Sequence, residues 1–349
     1  MIYSGKSLVS YLSEVVMRQW KLKAGVTEAK GLVNEEAATP QPGPGQVRIR
    51  VRAIALNARD QMILAGPFGR PEGEEIVPLS DVAGVIDAVG EGVSGWSVGD
   101  RVMTAHAPGW RTGRAQTFGI GPGSLDDPGV AAEQIVVAAD RVIATPPGLS
   151  DAEASTLQVA GVTAWNAVMA GKPVEAGDKV LVLGSGGVAL FAAQLARALG
   201  AIPYAAVRSR ADDPRWQELG VAGTMTTDGD WGARAYELTG GADKVVNTVG
   251  IGVVNECIAA AAGSGEIAVL GLRDNDVPAL DVWSLVGKQA SVRGVAVGSV
   301  AMHQDLARFT AEHDLHPVID RRFSFADLPA AYEAQGQPGI FGKIVIDLD

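Results

Sequence analysis

Residues 184–189, Gly184-Ser185-Gly186-Gly187-Val188-Ala189, follow the apolar run Val180-Leu181-Val182-Leu183 and open a stretch of helical pattern. This is a G-x-G-x-x-G/A loop in the strand–turn–helix context that a dinucleotide-binding loop requires. Gly184 serves the tight turn, Gly186 lets a pyrophosphate approach backbone N–H groups, and Ala189 lets helix and strand pack closely. The helix N-terminus, reached through Ser185, Gly187 and Val188, favours the negative phosphates. About 20 residues on, at the end of the second strand, an NAD site places Asp or Glu for the ribose hydroxyls. Here that strand ends at Val207 and is followed by Arg208-Ser209-Arg210, with Asp212 only later. Two guanidiniums and a hydroxyl suit a 2′-phosphate that a carboxylate would repel. The expected cofactor is therefore NADP(H); a merely solvated loop is the other use of these arginines.

Few other residues offer chemistry on their own. His106 and Trp110 lie on a loop after a strand, and they read either as a lining of a substrate cleft, with His106 as proton donor, or as exposed loop residues. His313 and His316 have helical ligand spacing, but Pro317 follows and no third ligand is near, so they read as a solvated helix end. The single cysteine, Cys257, excludes an internal disulfide framework and any metal site needing two thiolates.

The elements that must carry these residues fall into two blocks. With 349 residues, the chain is longer than one core usually supports. Residues 17–150 read as strands and turns: 47–53 alternates strictly, with Arg48, Arg50 and Arg52 on the wet face, and 82–89 is a further strand. Beyond Pro146-Pro147-Gly148, strands and helices alternate. Ser150 and Glu153 form a capping box. Strands are expected at 179–183, 202–207, 244–249 and 266–270, and a helix at 187–199. Residues 151–298 thus read as a doubly wound Rossmann domain, and 299–349 return to strand-like text that rejoins the first domain. Residues 1–16 lack the long apolar stretch of a signal peptide and read as an N-terminal extension. The net charge of −11 carries no basic stripe, so no nucleic-acid partner is expected, and no apolar run is long enough for a membrane span.

Further motifs give these blocks a family. They are Leu56-Asn57-Ala58-Arg59-Asp60, Pro78-Leu79-Ser80-Asp81-Val82-Ala83-Gly84, Val89-Gly90-Glu91-Gly92-Val93, Gly99-Asp100-Arg101-Val102, Ala160-Gly161-Val162-Thr163-Ala164-Trp165 and the closing Gly342-Lys343. With the Gly184 loop, this ordered set resembles the medium-chain dehydrogenase/reductase superfamily from about residue 17 to the end. It is most similar to the zinc-independent, quinone-oxidoreductase-like branch. The resemblance implies a GroES-like β-rich catalytic domain (17–150 and 299–349) joined to an α/β Rossmann domain.

In zinc members of that superfamily a Cys, a His and a second Cys hold the catalytic metal. The resemblance puts Asn57, Ser80 and Val159 at those places, and Val cannot ligate at all. No zinc is therefore expected. Asn57 becomes a candidate donor to a substrate carbonyl or a turn residue, and Ser80 a small lining residue. Asp60 and Asp81 become orienting carboxylates, and Arg59 either their partner or a group facing the substrate. Thr163 is implied near the nicotinamide ribose, and Val249, Gly250, Leu270, Gly271 and Leu272 beside the nicotinamide. Lys343 is implied near the pyrophosphate. Without a Lewis acid, hydride transfer to an already electrophilic quinone, enone or related conjugated carbonyl is the expected reaction. A zinc-free alcohol or carbonyl dehydrogenase and a non-catalytic NADPH-binding sensor or crystallin-like protein are the alternatives. A cytoplasmic homodimer or homotetramer is implied.

Overall fold

The structure is a computed structural model that describes residues 16–66, 68, 73–115, 119–125, 127–272 and 276–348. The expected extension at 1–16 lies outside these residues, apart from Val16 at the head of the first strand.

Six parallel strands form the nucleotide-domain sheet. Across the sheet they run Gly223–Thr226, Ile202–Val207, Lys179–Leu183, Ala242–Asn247, Ala261–Val269 and Ser291–Gly294. In chain order this is 3-2-1-4-5-6, so the winding reverses between Lys179–Leu183 and Ala242–Asn247. Open α/β sheets bind ligands at that reversal, beyond the carboxyl ends of the strands. The continuous apolar text of Val180, Leu181, Val182 and Leu183 is explained by helices on both faces, and all four are buried. Gly184 turns the chain out of this strand at φ 89°, and the helix Gly187–Ala198 starts at once. That helix stops before Gly200, which adopts φ 80°.

Val16–Leu22 and Leu32–Ala38 form a two-stranded antiparallel sheet, and a third sheet has seven strands. Its path runs Ile319–Ser324, Lys343–Asp347, Gln46–Ala55, Asp81–Val89, Arg101–Thr104 and Val142–Ala144, with Gln134–Ala138 also paired to Gln46–Ala55. Val47, Ile49, Val51 and Ala53 point into the core, as the alternation predicts. The C-terminal strand thereby returns to the first domain.

Among the contacts between the domains, two bear on the site. The helix Val300–Glu312 packs on Val162–Met169, with the Trp165 and Phe309 rings 5.2 Å apart. Residues 339–343 lie against the glycine loop: Gly342 N donates to the Ser185 carbonyl (2.9 Å) and Ser185 Oγ donates to the Ile340 carbonyl (2.8 Å).

Candidate active site

The helix Ala58–Ala65 begins with a capping box between Asn57 and Asp60. Its backbone half is a 2.7 Å bond from Asn57 N to Asp60 Oδ2. This places Asn57 at the mouth of the helix and Asp60 beneath it, both buried. Ser80 and Asp81 enter from the head of the strand Asp81–Val89. Ser80 Oγ donates to Asp81 Oδ1 at 2.8 Å, and Asn57 Nδ2 reaches Ser80 Oγ at 3.5 Å. Val159 lies on a single π-helical turn, Leu157–Gly161, and gives only its backbone N–H, to Asp81 Oδ2 at 3.1 Å. Lys343 closes the cluster: its Nζ donates to Asn57 Oδ1 at 2.6 Å and to the Leu56 carbonyl.

This geometry revises several expectations. The Asn57 amide faces the cluster, with its oxygen on Lys343 and its nitrogen 3.5 Å from Ser80 Oγ. Ser80 is completely buried and is a link in the network, not a lining residue. The Lys343 ammonium is turned to Asn57 Oδ1 and the Leu56 carbonyl, while its stem crosses Gly187. Arg59 is committed to Asp60 (3.3 Å) and to the Ile120 carbonyl (2.9 Å).

The carboxylates are unusual for their type. Burial pushes Asp60 up to about 6 against the opposing charge of Arg59. Burial raises Asp81 too, opposed by the Lys343 charge and by bonds from Asn57, Ser80 and Val159. Burial lowers Lys343, and the two carboxylates hold it back up.

His106 is not an exposed loop residue. It is buried, and burial with the nearby Arg59 and Arg141 charges lowers it to about 3. It is therefore neutral at ordinary pH and supplies no imidazolium acid. Its neighbour His303, on Val300–Glu312, is also buried and lowered to about 3. His106 Nδ1 and both His303 ring nitrogens have no hydrogen-bond partner among the described residues. His303 carried no sequence signal, being one histidine within a helix. Trp110 Nε1 bonds its own loop at the Gly113 carbonyl (2.9 Å), while the Trp110 carbonyl accepts from Val300 N (2.9 Å) at that helix's start. His313 and His316 are exposed; His313 stacks on Phe309 and His316 pairs with Glu153 at 2.7 Å.

The cofactor side has the shape a dinucleotide needs. The helix Gly187–Ala198 has no side-chain cap, and a Cβ at Gly186 would meet nothing within 4 Å, so a phosphate can reach the loop's N–H groups. Thr248 Oγ1 bonds the Leu183 carbonyl across the sheet reversal. Asn247, which sequence reading missed, shapes the rest: its Oδ1 accepts from Val249 N and Gly250 N (both 3.0 Å) and its Nδ2 donates to the Gly250 carbonyl (2.8 Å). Leu270 N and Gly271 N in turn donate to the Asn247 carbonyl, and Leu272 beyond them is exposed. Thr163 Oγ1 bonds the Val159 carbonyl one turn back at 2.5 Å. Arg208 and Ser209 are exposed; Arg210, at φ 63°, donates to the Gly339 carbonyl at 3.0 Å.

As a zinc site the cluster is a poor fit. Asn57 Oδ1 already faces an ammonium, Ser80 Oγ is spent on Asp81, and Val159 has no ligating side chain.

Comparison with known proteins agrees with this architecture. Residues 43–147 match the alcohol dehydrogenase GroES-like domain family, and 187–312 match the zinc-binding dehydrogenase family. A zinc-type alcohol dehydrogenase-like protein of Schizosaccharomyces pombe is 35% identical over 314 residues, covering 85% of this chain and 89% of that one. A crystal structure of a candidate alcohol dehydrogenase from Sinorhizobium meliloti superposes with a TM-score of 0.87 at 36% identity, covering 95% of this chain and 99% of that one. An acryloyl-coenzyme A reductase of Sulfurisphaera tokodaii is 26% identical over 332 residues, covering 91% and 96%. The chain also spans 13% of the length of a Mycobacterium tuberculosis polyketide synthase subunit. Sheet order, glycine loop and full-length relatives converge, and the chain belongs to the medium-chain dehydrogenase/reductase superfamily as an oxidoreductase.

Proposed function

We propose that this chain is an NADP(H)-dependent, zinc-independent reductase that passes hydride to an electrophilic small molecule: a quinone, an enone or a related conjugated carbonyl compound. The observation that carries this reading is the closed network Lys343–Asn57–Ser80–Asp81–Val159, which uses the polar atoms a zinc ion would need. Without a Lewis acid to form an alkoxide, reduction of an already polarised acceptor is the easier chemistry. The acryloyl-coenzyme A reductase relative is named for a conjugated substrate of this kind.

When bound, the nicotinamide supplies the hydride. The chain's own residues bind and orient. The N–H groups of residues 185–188 take the pyrophosphate, and Arg208 with Ser209 takes the 2′-phosphate, joined by Arg210 if it leaves Gly339. The strand ends at Val249–Gly250 and Leu270–Gly271 set the nicotinamide face, with Thr163 near the nicotinamide ribose and Arg59 holding Asp60 in place. With His106 neutral, the proton arrives from water or a nearby hydroxyl.

The acting species is a homo-oligomer built on the edge strand Ser291–Gly294 and the helix Val282–Gly287. Trp283 (89% exposed), Val286, Val282 and Val292 form an apolar surface there. A second copy related by a two-fold axis covers this surface and pairs both sheet edges at once.

The test is oxidation of NADPH and NADH by EDTA-treated protein against 1,4-quinones, enones and simple ketones. Turnover with NADPH on quinones or enones that survives EDTA is the expected result. A requirement for added zinc would overturn the metal-free reading, and turnover of ketones alone would replace C=C or quinone reduction by carbonyl chemistry.

A further inference from the structure

The buried cation at the centre of the cluster has no counterpart in the reaction so far. Lys343 opens the strand Lys343–Asp347, where its N–H donates to the Val318 carbonyl at 2.9 Å. Gly342 before it, at φ 115°, leaves no room for a side chain against the Val318 carbonyl. The backbone is thus pinned, and the lysine stem sets out from a fixed point. It runs over the start of the cofactor-loop helix, where its Cδ lies 2.5 Å from the place a Gly187 Cβ would take. Its ammonium ends on Asn57 Oδ1 and the Leu56 carbonyl, and the residue is only 4% exposed.

The charges around it are matched. Arg59 and Asp60 come from the helix Ala58–Ala65, Asp81 comes from its strand, and Tyr332 faces Asp60 from the helix Leu328–Gly336. Two buried carboxylates therefore meet two cations, Lys343 and Arg59. Removing one cation would leave an uncompensated buried charge, which is costly. Lys343 also decides which way Asn57 points: an ammonium can only donate, so it must face the amide oxygen, and the amide nitrogen must then face Ser80.

We propose that Lys343 is a positioning residue for hydride transfer, a fixed internal cation that holds the Asn57–Ser80–Asp81 network in one arrangement and does not act as a ligand of the cofactor pyrophosphate. This inference rests on the zinc-independent reading above, since the ammonium occupies the neighbourhood a metal's charge would take. The network reaches the π-turn Leu157–Gly161 through Val159, and Thr163 one turn further on bonds back to Val159. Lys343 so connects the strand Lys343–Asp347 to the helix Val162–Met169, whose Thr163 the proposed reading places near the nicotinamide ribose.

The test compares the full-length chain with Lys343→Met, Lys343→Arg and the double variant Lys343→Met/Asp81→Asn. NADPH dissociation constants are read by fluorescence, kcat and KM with the best acceptor, and melting temperatures without cofactor. The expected result for Lys343→Met is a kcat loss of about a hundredfold with the NADPH dissociation constant within threefold of the parent. Lys343→Arg should recover part of the kcat, because it restores the charge. Lys343→Met should also lower the melting temperature of the cofactor-free protein, and the double variant should regain most of that loss. An NADPH dissociation constant raised tenfold or more, with kcat retained, would make Lys343 a pyrophosphate ligand and overturn the proposal. Additive melting losses in the double variant would overturn it as well. If the parent protein reduces no acceptor, the proposed function fails, while the cofactor-free melting cycle still judges the Lys343–Asp81 coupling.

Discussion

Asp60 shows how one buried group sets a measurable pH response. An unfolded Asp titrates near 3.9, whereas burial holds Asp60 at about 6 in the fold. Between those values the folded protein keeps a proton that the unfolded chain has lost. Stability contributed by this site therefore falls as pH rises from about 4 to 6 and stays lower above that window. Asp60→Asn should flatten the melting temperature across that range relative to the parent; an unchanged slope would place the titration elsewhere. Arg208 gives a second prediction. It is exposed at the end of Ile202–Val207 with no carboxylate in the ribose position. Charge-assisted bonds to a 2′-phosphate contribute about 1.5–3 kcal/mol, so Arg208→Ala should weaken NADPH binding about ten- to hundredfold and leave NADH unchanged. Equal losses for both cofactors, read by titration, would mean that this guanidinium does not read the 2′-phosphate.

At the scale of elements, local punctuation decided what the sequence made legible. Lys179–Leu183 and Ile202–Val207 were readable to the residue because each is an apolar run closed by Gly184 or Arg208. The following strand, Gly223–Thr226, was not read at all, and the one read as 244–249 spans Ala242–Asn247, since Asn247 hides in an apolar context and only its three side-chain bonds to Val249 and Gly250 reveal a turn. The candidate site was legible in residue type and not in orientation. Ser80 and Asn57 were visible as polar residues, but their direction depends on Lys343, which lies 286 residues from Asn57 in the chain. His303 could not be found, because nothing local marks a helix histidine as buried. The junction itself is testable at Gly342. Its φ of 115° and its closeness to Val318 make Gly342→Ala strained by about 1–3 kcal/mol or more. The loss should appear as a lower melting temperature together with weaker cofactor binding, because the same residue donates to the Ser185 carbonyl in the glycine loop. A variant that melts as the parent does would show that the loop and the C-terminal strand are not rigidly coupled.

Among the described residues, one edge of the nucleotide-domain sheet lies close in sequence to several exposed large apolar side chains. The strand Ser291–Gly294 ends the six-stranded sheet, so one row of its backbone groups has no neighbouring strand. In the segment that precedes it in the chain, Trp283 is 89% exposed and Val277, Val286 and Val282 are each more than half exposed. A tryptophan so placed costs apolar exposure in a lone chain, and large exposed apolar patches mark interaction sites. In the proposed dimer a two-fold axis perpendicular to this edge strand would bring the two copies of the strand together antiparallel, with each copy's Trp283 facing the other's. That arrangement leaves the cofactor cleft of each subunit open, since the reversal point lies three strands inward from this edge. An aromatic at the centre of such an interface is the type of residue that dominates its energy, and truncating one costs about 2 kcal/mol or more. Trp283→Lys should therefore weaken association at least about thirtyfold and shift the mass measured by light scattering toward one chain, with the fold and NADPH binding retained. Parent protein that elutes as a single chain across micromolar concentrations, or a variant with undiminished assembly, would move the interface away from this edge and leave the Trp283 surface to be explained by another partner.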